Sequence, residues 1–475
     1  MKKSQILVVV LAAAVAPLIV LSPPEDSVAY MVAILCAGLA MLGMLLVRDD
    51  GERRILIRLF AAAYILRLVF TVICYKANIL DVFGAGDAYM WRQAWDLSRI
   101  WSGWPVGTYD FGFPQTLGEL YSGRSNMGYS YFSTWLYYGL NVRSQMTLSF
   151  INCFINSLTV VMVYQSARLF FSQKASTFAA LMALILPGFI IWSALTIKET
   201  WIIFFEITAF YATWRFARDR NPLYALLVIA MAALVLAFRF YATWCLLGAA
   251  VLTVISANTA RPLRTALCCT VGLFAVMVVL NVLLLVPFDL MSIALSRLDD
   301  MTDFREAISG AGSRAGGAGV RSGVQLDYDI RTPGGAAMMI LVGSTYVLFS
   351  PFPWNLFSAR QVLALPDVVL WYALVFIFIL PGIRYAWQQH KHVLVSVAAF
   401  VLPLLLLYSM IFGNVGLAYR QRAQLMPFLL LLAAAGYERR LQHARVPSAQ
   451  TRFSPLRGRL QRRRGALPQS ILSRP

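Results

Sequence analysis

Acidic residues are scarce in this sequence. It holds 22 Asp and Glu against 41 Lys and Arg, and charged residues make up only 13% of its 475 positions. Water-soluble domains carry about 25%. A chain this poor in charge and 59% hydrophobic does not read as a soluble globular protein. Histidine is scarcer still: His390, His392 and His443 are the three. All fall on the basic side of the topology drawn below, which argues against a histidine base or a histidine-ligated metal on the opposite side. The cysteines Cys36, Cys74, Cys153, Cys245, Cys268 and Cys269 lie inside or at the ends of apolar segments, at no metal-ligand spacing. That argues against a disulfide framework. No internal repeat is evident. No small-x-small cleavage site follows the first apolar run, which continues into Ser22-Pro23-Pro24-Glu25-Asp26. The run is therefore expected to remain as an uncleaved first span.

Long apolar runs are what the sequence does have. Spans are expected near 5–22, 28–47, 55–75, 147–168, 176–196, 199–216, 222–238, 241–257, 265–287, 367–384, 392–412 and 423–437. The expectation is an all-α polytopic membrane protein with about 12 transmembrane helices. The net charge of +19 would suit a nucleic-acid partner, but the Lys and Arg sit mainly in short loops and the tail. That is the positive-inside pattern, and the partners it implies are anionic membrane lipids, not nucleic acid. With the N-terminus inside, roughly 25 basic residues lie inside and about 15 outside, although the outside loops are longer. Both termini are then cytoplasmic, in a bacterial inner or plasma membrane. Residues 1–437 form the transmembrane domain, and 438–475 a basic, disordered tail.

Two outside segments exceed simple connectors, 76–145 and 288–366. The first carries Trp91, Trp95, Trp101, Trp104, Tyr109 and Tyr121. These suit interfacial helices or a sugar-stacking surface. The middle of the second, 310–323, is rich in Gly, Ala, Ser and Arg. Its apolar part, 336–353, is read as a re-entrant or tucked segment held by protein rather than lipid.

In this threading Asp81, Asp87, Lys198, Glu199, Arg239, Arg420 and Arg422 reach one membrane face, opposite the basic loops. Asp81 and Asp87 flank Gly84-Ala85-Gly86 and are followed by Tyr89. Either acid could accept a proton from an attacking hydroxyl, and either could instead cap the helix starting near Ala88. Lys198 and Glu199 are the charges of a tight hairpin that follows Pro187. Charge at that depth calls for a partner or a function, and Lys198 suits a lipid phosphate unless it merely snorkels beside Glu199. Arg239 sits in an outside hairpin with almost no loop and should find a phosphate or carboxylate. Arg420 and Arg422, just before the last span, offer a pair of guanidiniums to phosphate oxygens, or a basic edge to the interface.

On these residues the chain resembles the GT-C-type glycosyltransferases, of the protein-mannosyltransferase and aminoarabinose-transferase kind. The matching features are Asp81 and Asp87 in the first large outside loop, the hairpin of Pro187, Lys198 and Glu199, and the late Arg420 and Arg422. The resemblance spans most of 1–437. It implies a sugar donor linked to polyprenyl phosphate and an extracytoplasmic acceptor. It also implies Asp87 or Asp81 as general base in an inverting transfer, with Glu199 and Tyr89 in support. Lys198, Arg239, Arg420 and Arg422 would hold the donor phosphate. No cofactor is implied, although Asp299, Asp300 and Asp303 leave a divalent metal open. The first loop departs from the family in lacking its adjacent pair of acids. Two rival readings stay open, a polymerase or ligase of lipid-linked glycans, and a flippase of lipid-linked sugars. A flippase should carry charges deep within several spans, where this sequence has chiefly Arg67.

Overall fold

A computed structural model gives the fold and describes residues 24–79, 90–104, 128–258, 328, 332–354, 356, 359–411 and 413–445. Every regular element among them is helical. In chain order these are α1 (Pro24–Leu45), α2 (Asp50–Lys76), α3 (Met90–Trp101), α4 (Gly128–Leu140), α5 (Gln145–Arg168) and α6 (Gln173–Ile185). Next come α7 (Pro187–Ala194), α8 (Glu199–Asp219), α9 (Pro222–Phe238), α10 (Phe240–Ala257), α11 (Pro333–Phe349) and α12 (Ala359–Leu363). The last are α13 (Leu365–Leu374), α14 (Leu380–Gln389), α15 (Lys391–Ile411) and α16 (Val415–Arg445). A π-helical turn, Val375–Ile379, joins α13 to α14.

Among the described residues, six helices are long and apolar enough to cross a membrane: Asp26–Leu45, Asp50–Lys76, Gln145–Arg168, Phe240–Ala257, Leu365–Gln389 and Lys391–Ile411. The pair α6 and α7, bent by 51°, makes a seventh if taken as one span. α9 and α11 are apolar but shorter. The expected spans 5–22 and 265–287 lie outside the described residues. The segments 199–216 and 423–437 are helical, as parts of α8 and α16, but both helices carry several charges. Glu199, Glu206 and Arg422 among these are tolerated because their surroundings are protein: all three are buried.

The bundle is built around α5, most of whose residues are buried and which packs against α1, α2, α6 and α8. Polar ends are tied off locally. Ser144 caps α5 by accepting from Thr147 N at 3.3 Å, and Asn221 caps α9 ahead of Pro222. Lipid offers no hydrophobic drive to hold helices together, so close packing has to do it. Where α14 and the π-helical turn before it meet α16, Gly382 lies against the Leu432 carbonyl and Gly436 against the Phe378 carbonyl, with no room for a Cβ at either.

Candidate functional site

The site begins with a broken helix. Pro187 has no N–H and cannot continue α6, so the chain restarts as α7 at an angle. The break frees carbonyls at the end of α6 and amides at the start of α7, which need partners inside the bundle. Arg67 of α2, fully buried, donates to Ala183 O at 3.1 Å and Leu184 O at 3.5 Å, and to Asn156 Oδ1 at 2.7 Å. Asp367 of α13, also fully buried, accepts from Gly188 N at 2.8 Å. A cation thus meets the C-terminal end of one half-helix and an anion the N-terminal end of the other, as the helix dipoles favour. Arg67, the deep charge that a flippase would need, is part of this joint.

The far end of α7 opens into a short non-helical link. Asn152 of α5 holds it, donating to Leu195 O at 2.7 Å and Ile197 O at 3.2 Å and accepting from Trp201 Nε1 at 2.8 Å. That fixes Lys198 at the N-cap of α8 and Glu199 as its first residue.

Glu199 is the meeting point. Its Oε1 accepts from Arg239 Nη2 at 2.6 Å and from Arg420 Nε and Nη2, both at 2.7 Å. The side chains of Glu199, Arg239 and Arg420 are 2%, 8% and 12% exposed. Arg239 interrupts the α9–α10 hairpin and is held from behind, where its Nη1 donates to Gln424 Oε1 at 2.8 Å and Tyr408 Oη at 3.1 Å. Gln424 in turn donates to Glu206 and accepts from Tyr408. Four separate segments, α8, the α9–α10 junction, α15 and α16, thereby fix one charged cluster.

Arg422 faces elsewhere. Fully buried, its Nη2 donates to Asp367 Oδ2 at 2.8 Å, and its Nη1 to Ser350 O at 3.0 Å and Leu348 O at 3.3 Å. Those carbonyls end α11. Trp371 Nε1 also donates to Leu348 O at 2.8 Å, and Tyr372 Oη to Phe349 O at 2.6 Å. Side chains rather than water therefore satisfy the end of this apolar helix.

Of the residues expected from sequence, the structure brings Glu199, Arg239 and Arg420 into contact, with Lys198 next in the chain. It sends Arg422 to Asp367 instead. Asp81, Asp87 and Tyr89 lie outside the described residues, as do Asp299, Asp300 and Asp303. Sequence reasoning missed Asp367, Glu206, Gln424, Tyr408 and Asn152. Two of these had a signal. Asp367 is a lone acid heading a long apolar run, and Glu206 stands seven positions after Glu199 on the same helical face.

Residues 129–284 match the family model for dolichyl-phosphate-mannose-protein mannosyltransferase, a GT-C glycosyltransferase family. The match takes in about a third of the chain. It includes Asn152, Lys198, Glu199 and Arg239, and stops short of Asp367, Arg420 and Arg422. No curated protein matches the chain. The family match, together with the apolar helices, supports a membrane glycosyltransferase of GT-C type.

Proposed function

We propose that this enzyme moves a sugar from a polyprenyl-phosphate donor to an acceptor hydroxyl at the extracytoplasmic face, inverting the anomeric centre. The observation that carries the reading is the convergence of Arg239 and Arg420 on Glu199, beside Lys198, where a membrane hairpin turns. Several cations gathered around a single carboxylate in an apolar bundle suit an anionic ligand, and a lipid-linked phosphate is one that can approach from within the bilayer. Lys198, Arg239 and Arg420 would hold it. Arg422, in this reading, keeps the end of α11 and the broken helix in place.

The acceptor oxygen attacks the anomeric carbon from the face opposite the phosphate. Its proton passes to the carboxylate of Asp87 or Asp81. The electron pair of the breaking carbon–oxygen bond stays on the phosphate, which leaves with one more negative charge. Guanidiniums already in position stabilise that charge as it develops, with little reorganisation.

The test uses the purified protein in lipid nanodiscs with a set of radiolabelled polyprenyl-phosphate sugars. At least one should bind, and Arg420→Ala should weaken that binding. Binding of none, or equal binding by the variant, would remove the donor assignment. A flippase reading gains nothing from Arg67, whose guanidinium is engaged by the broken helix.

A further inference from the structure

A seat built only to grip phosphate has no use for a carboxylate, yet Glu199 occupies its centre. One explanation is structural: two buried guanidiniums need a counter-ion. The geometry is poor for that purpose alone. Both guanidiniums bond Oε1, while the buried Oε2 accepts no hydrogen bond among the described residues. A counter-ion would pair best by offering one oxygen to each arginine. As built, Glu199 keeps one buried oxygen without a hydrogen bond next to the cations, at the start of a helix whose dipole would otherwise add to their pull.

We propose that Glu199 is a positioning residue that sets the charge of the phosphate seat, and that this charge governs release of polyprenyl phosphate more than capture of the donor. The proposal rests on the donor assignment above. The donor is a phosphodiester with one negative charge. The product is a phosphomonoester with about 1.5 to 2 charges near neutral pH. Repulsion from a fixed carboxylate grows with the charge of the phosphate, so Glu199 disfavours the product roughly twice as strongly as the donor. Whatever else Lys198 and Arg420 touch, Glu199 removes one unit of positive charge from the seat.

The experiment measures equilibrium binding of polyprenyl phosphate, and its inhibition of sugar transfer, in nanodiscs. Glu199→Gln keeps the size and an acceptor oxygen but removes the charge. Its Ki for polyprenyl phosphate should fall on the order of tenfold. The KM for donor should fall less, and kcat should drop as release becomes slow. Unchanged or weaker product binding in Glu199→Gln would overturn the proposal and leave Glu199 as an orienting partner of the arginines. If Glu199→Gln does not fold, the comparison moves to the Arg420→Gln background, where adding Glu199→Gln should again tighten product binding. Failure of both the wild-type protein and Glu199→Gln to bind any polyprenyl-phosphate sugar donor would overturn the donor assignment itself, a separate and recognisable outcome.

Discussion

Arg420 and Arg422 stand two positions apart on α16 and serve different neighbours. Arg420 closes on Glu199 at 2.7 Å, while Arg422 closes on Asp367 at 2.8 Å. At 3.6 residues per turn, positions i and i+2 lie about 200° apart around the axis, so the two guanidiniums cannot share one ligand. α16 therefore ties two features together. One side fixes the charged cluster, and the other fixes α11 and the start of α7.

The separation predicts different losses. Arg420→Ala should weaken donor binding while the protein remains folded, because the side chain lies at the partly open end of the cluster. Arg422→Ala should instead lower thermal stability, since it leaves the fully buried Asp367 without its cation. A lost partner in a buried pair costs about 3–5 kcal/mol. Thermal unfolding and donor binding, measured on both variants in the same nanodiscs, check the assignment. Equal loss of binding with equal stability would return the two arginines to a single site.

The joint of the broken helix gives a second expectation. Asp367→Ala leaves Arg422 charged and buried and Gly188 N without an acceptor. A combined Asp367→Leu, Arg422→Met variant removes both charges together. It should recover the part of the stability that was lost to the unpaired cation, as apolar replacements of buried pairs often do. It should not recover all, because Gly188 N and Ser350 O lose partners, while Leu348 O keeps Trp371 Nε1. A thermal melt in which the double variant is no more stable than Asp367→Ala would show that Arg422 carries no burial penalty here.

Much of the helical layout was legible because apolar runs separated by Arg-bearing loops and Pro or Asn caps are local signals. Asn221-Pro222 opens α9 where the sequence placed it. Asn414 was a missed cap: its Oδ1 accepts from Leu417 N at 2.7 Å and starts α16 eight residues before the expected span. That error put Arg420 and Arg422 in a loop, where two arginines could have gripped one phosphate. Arg239 and Arg420 were legible as site residues because each is a charge at the edge of an apolar run. Glu199 was legible as a charge at the same face, but its pairing with both arginines was not, since Glu199 and Arg420 are 221 positions apart. Asn152 and Gln424 were hidden for another reason. An amide within an apolar helix has no charge to flag it, and the partners are distant in sequence: carbonyls beyond a broken helix for Asn152, and the side chains of Glu206, Arg239 and Tyr408 for Gln424.

The glycine contact between α14 and α16 makes a third prediction. A methyl group at Gly382 would overlap the Leu432 carbonyl, and one at Gly436 would overlap the Phe378 carbonyl. Both obstructions are backbone and cannot rotate away. Gly382→Val or Gly436→Val should therefore force the two helices apart and destabilise the protein by about 1–3 kcal/mol or more. Gly248→Ala in α10, where a Cβ meets nothing within 4 Å, is the matched control. Thermal unfolding of the three variants decides it, and equal midpoints would mean that the α14–α16 approach is looser than described.

The sharpest prediction concerns the base. If Asp87 takes the acceptor proton, Asp87→Asn should lower turnover by roughly two to four orders of magnitude. Asparagine keeps the size and the capacity to cap the following helix but cannot act as a base, so folding should survive. Donor binding should survive too, because the proposed reading gives the phosphate to Lys198, Arg239 and Arg420. The variant is thus the complement of Arg420→Ala, which should lose donor affinity. Single-turnover transfer under saturating donor separates the two effects. Full activity in Asp87→Asn would move the role to Asp81. Full activity in the combined Asp81→Asn, Asp87→Asn variant would remove the general-base mechanism, and a route in which the arginines act on a pyrophosphate-linked glycan would then fit better.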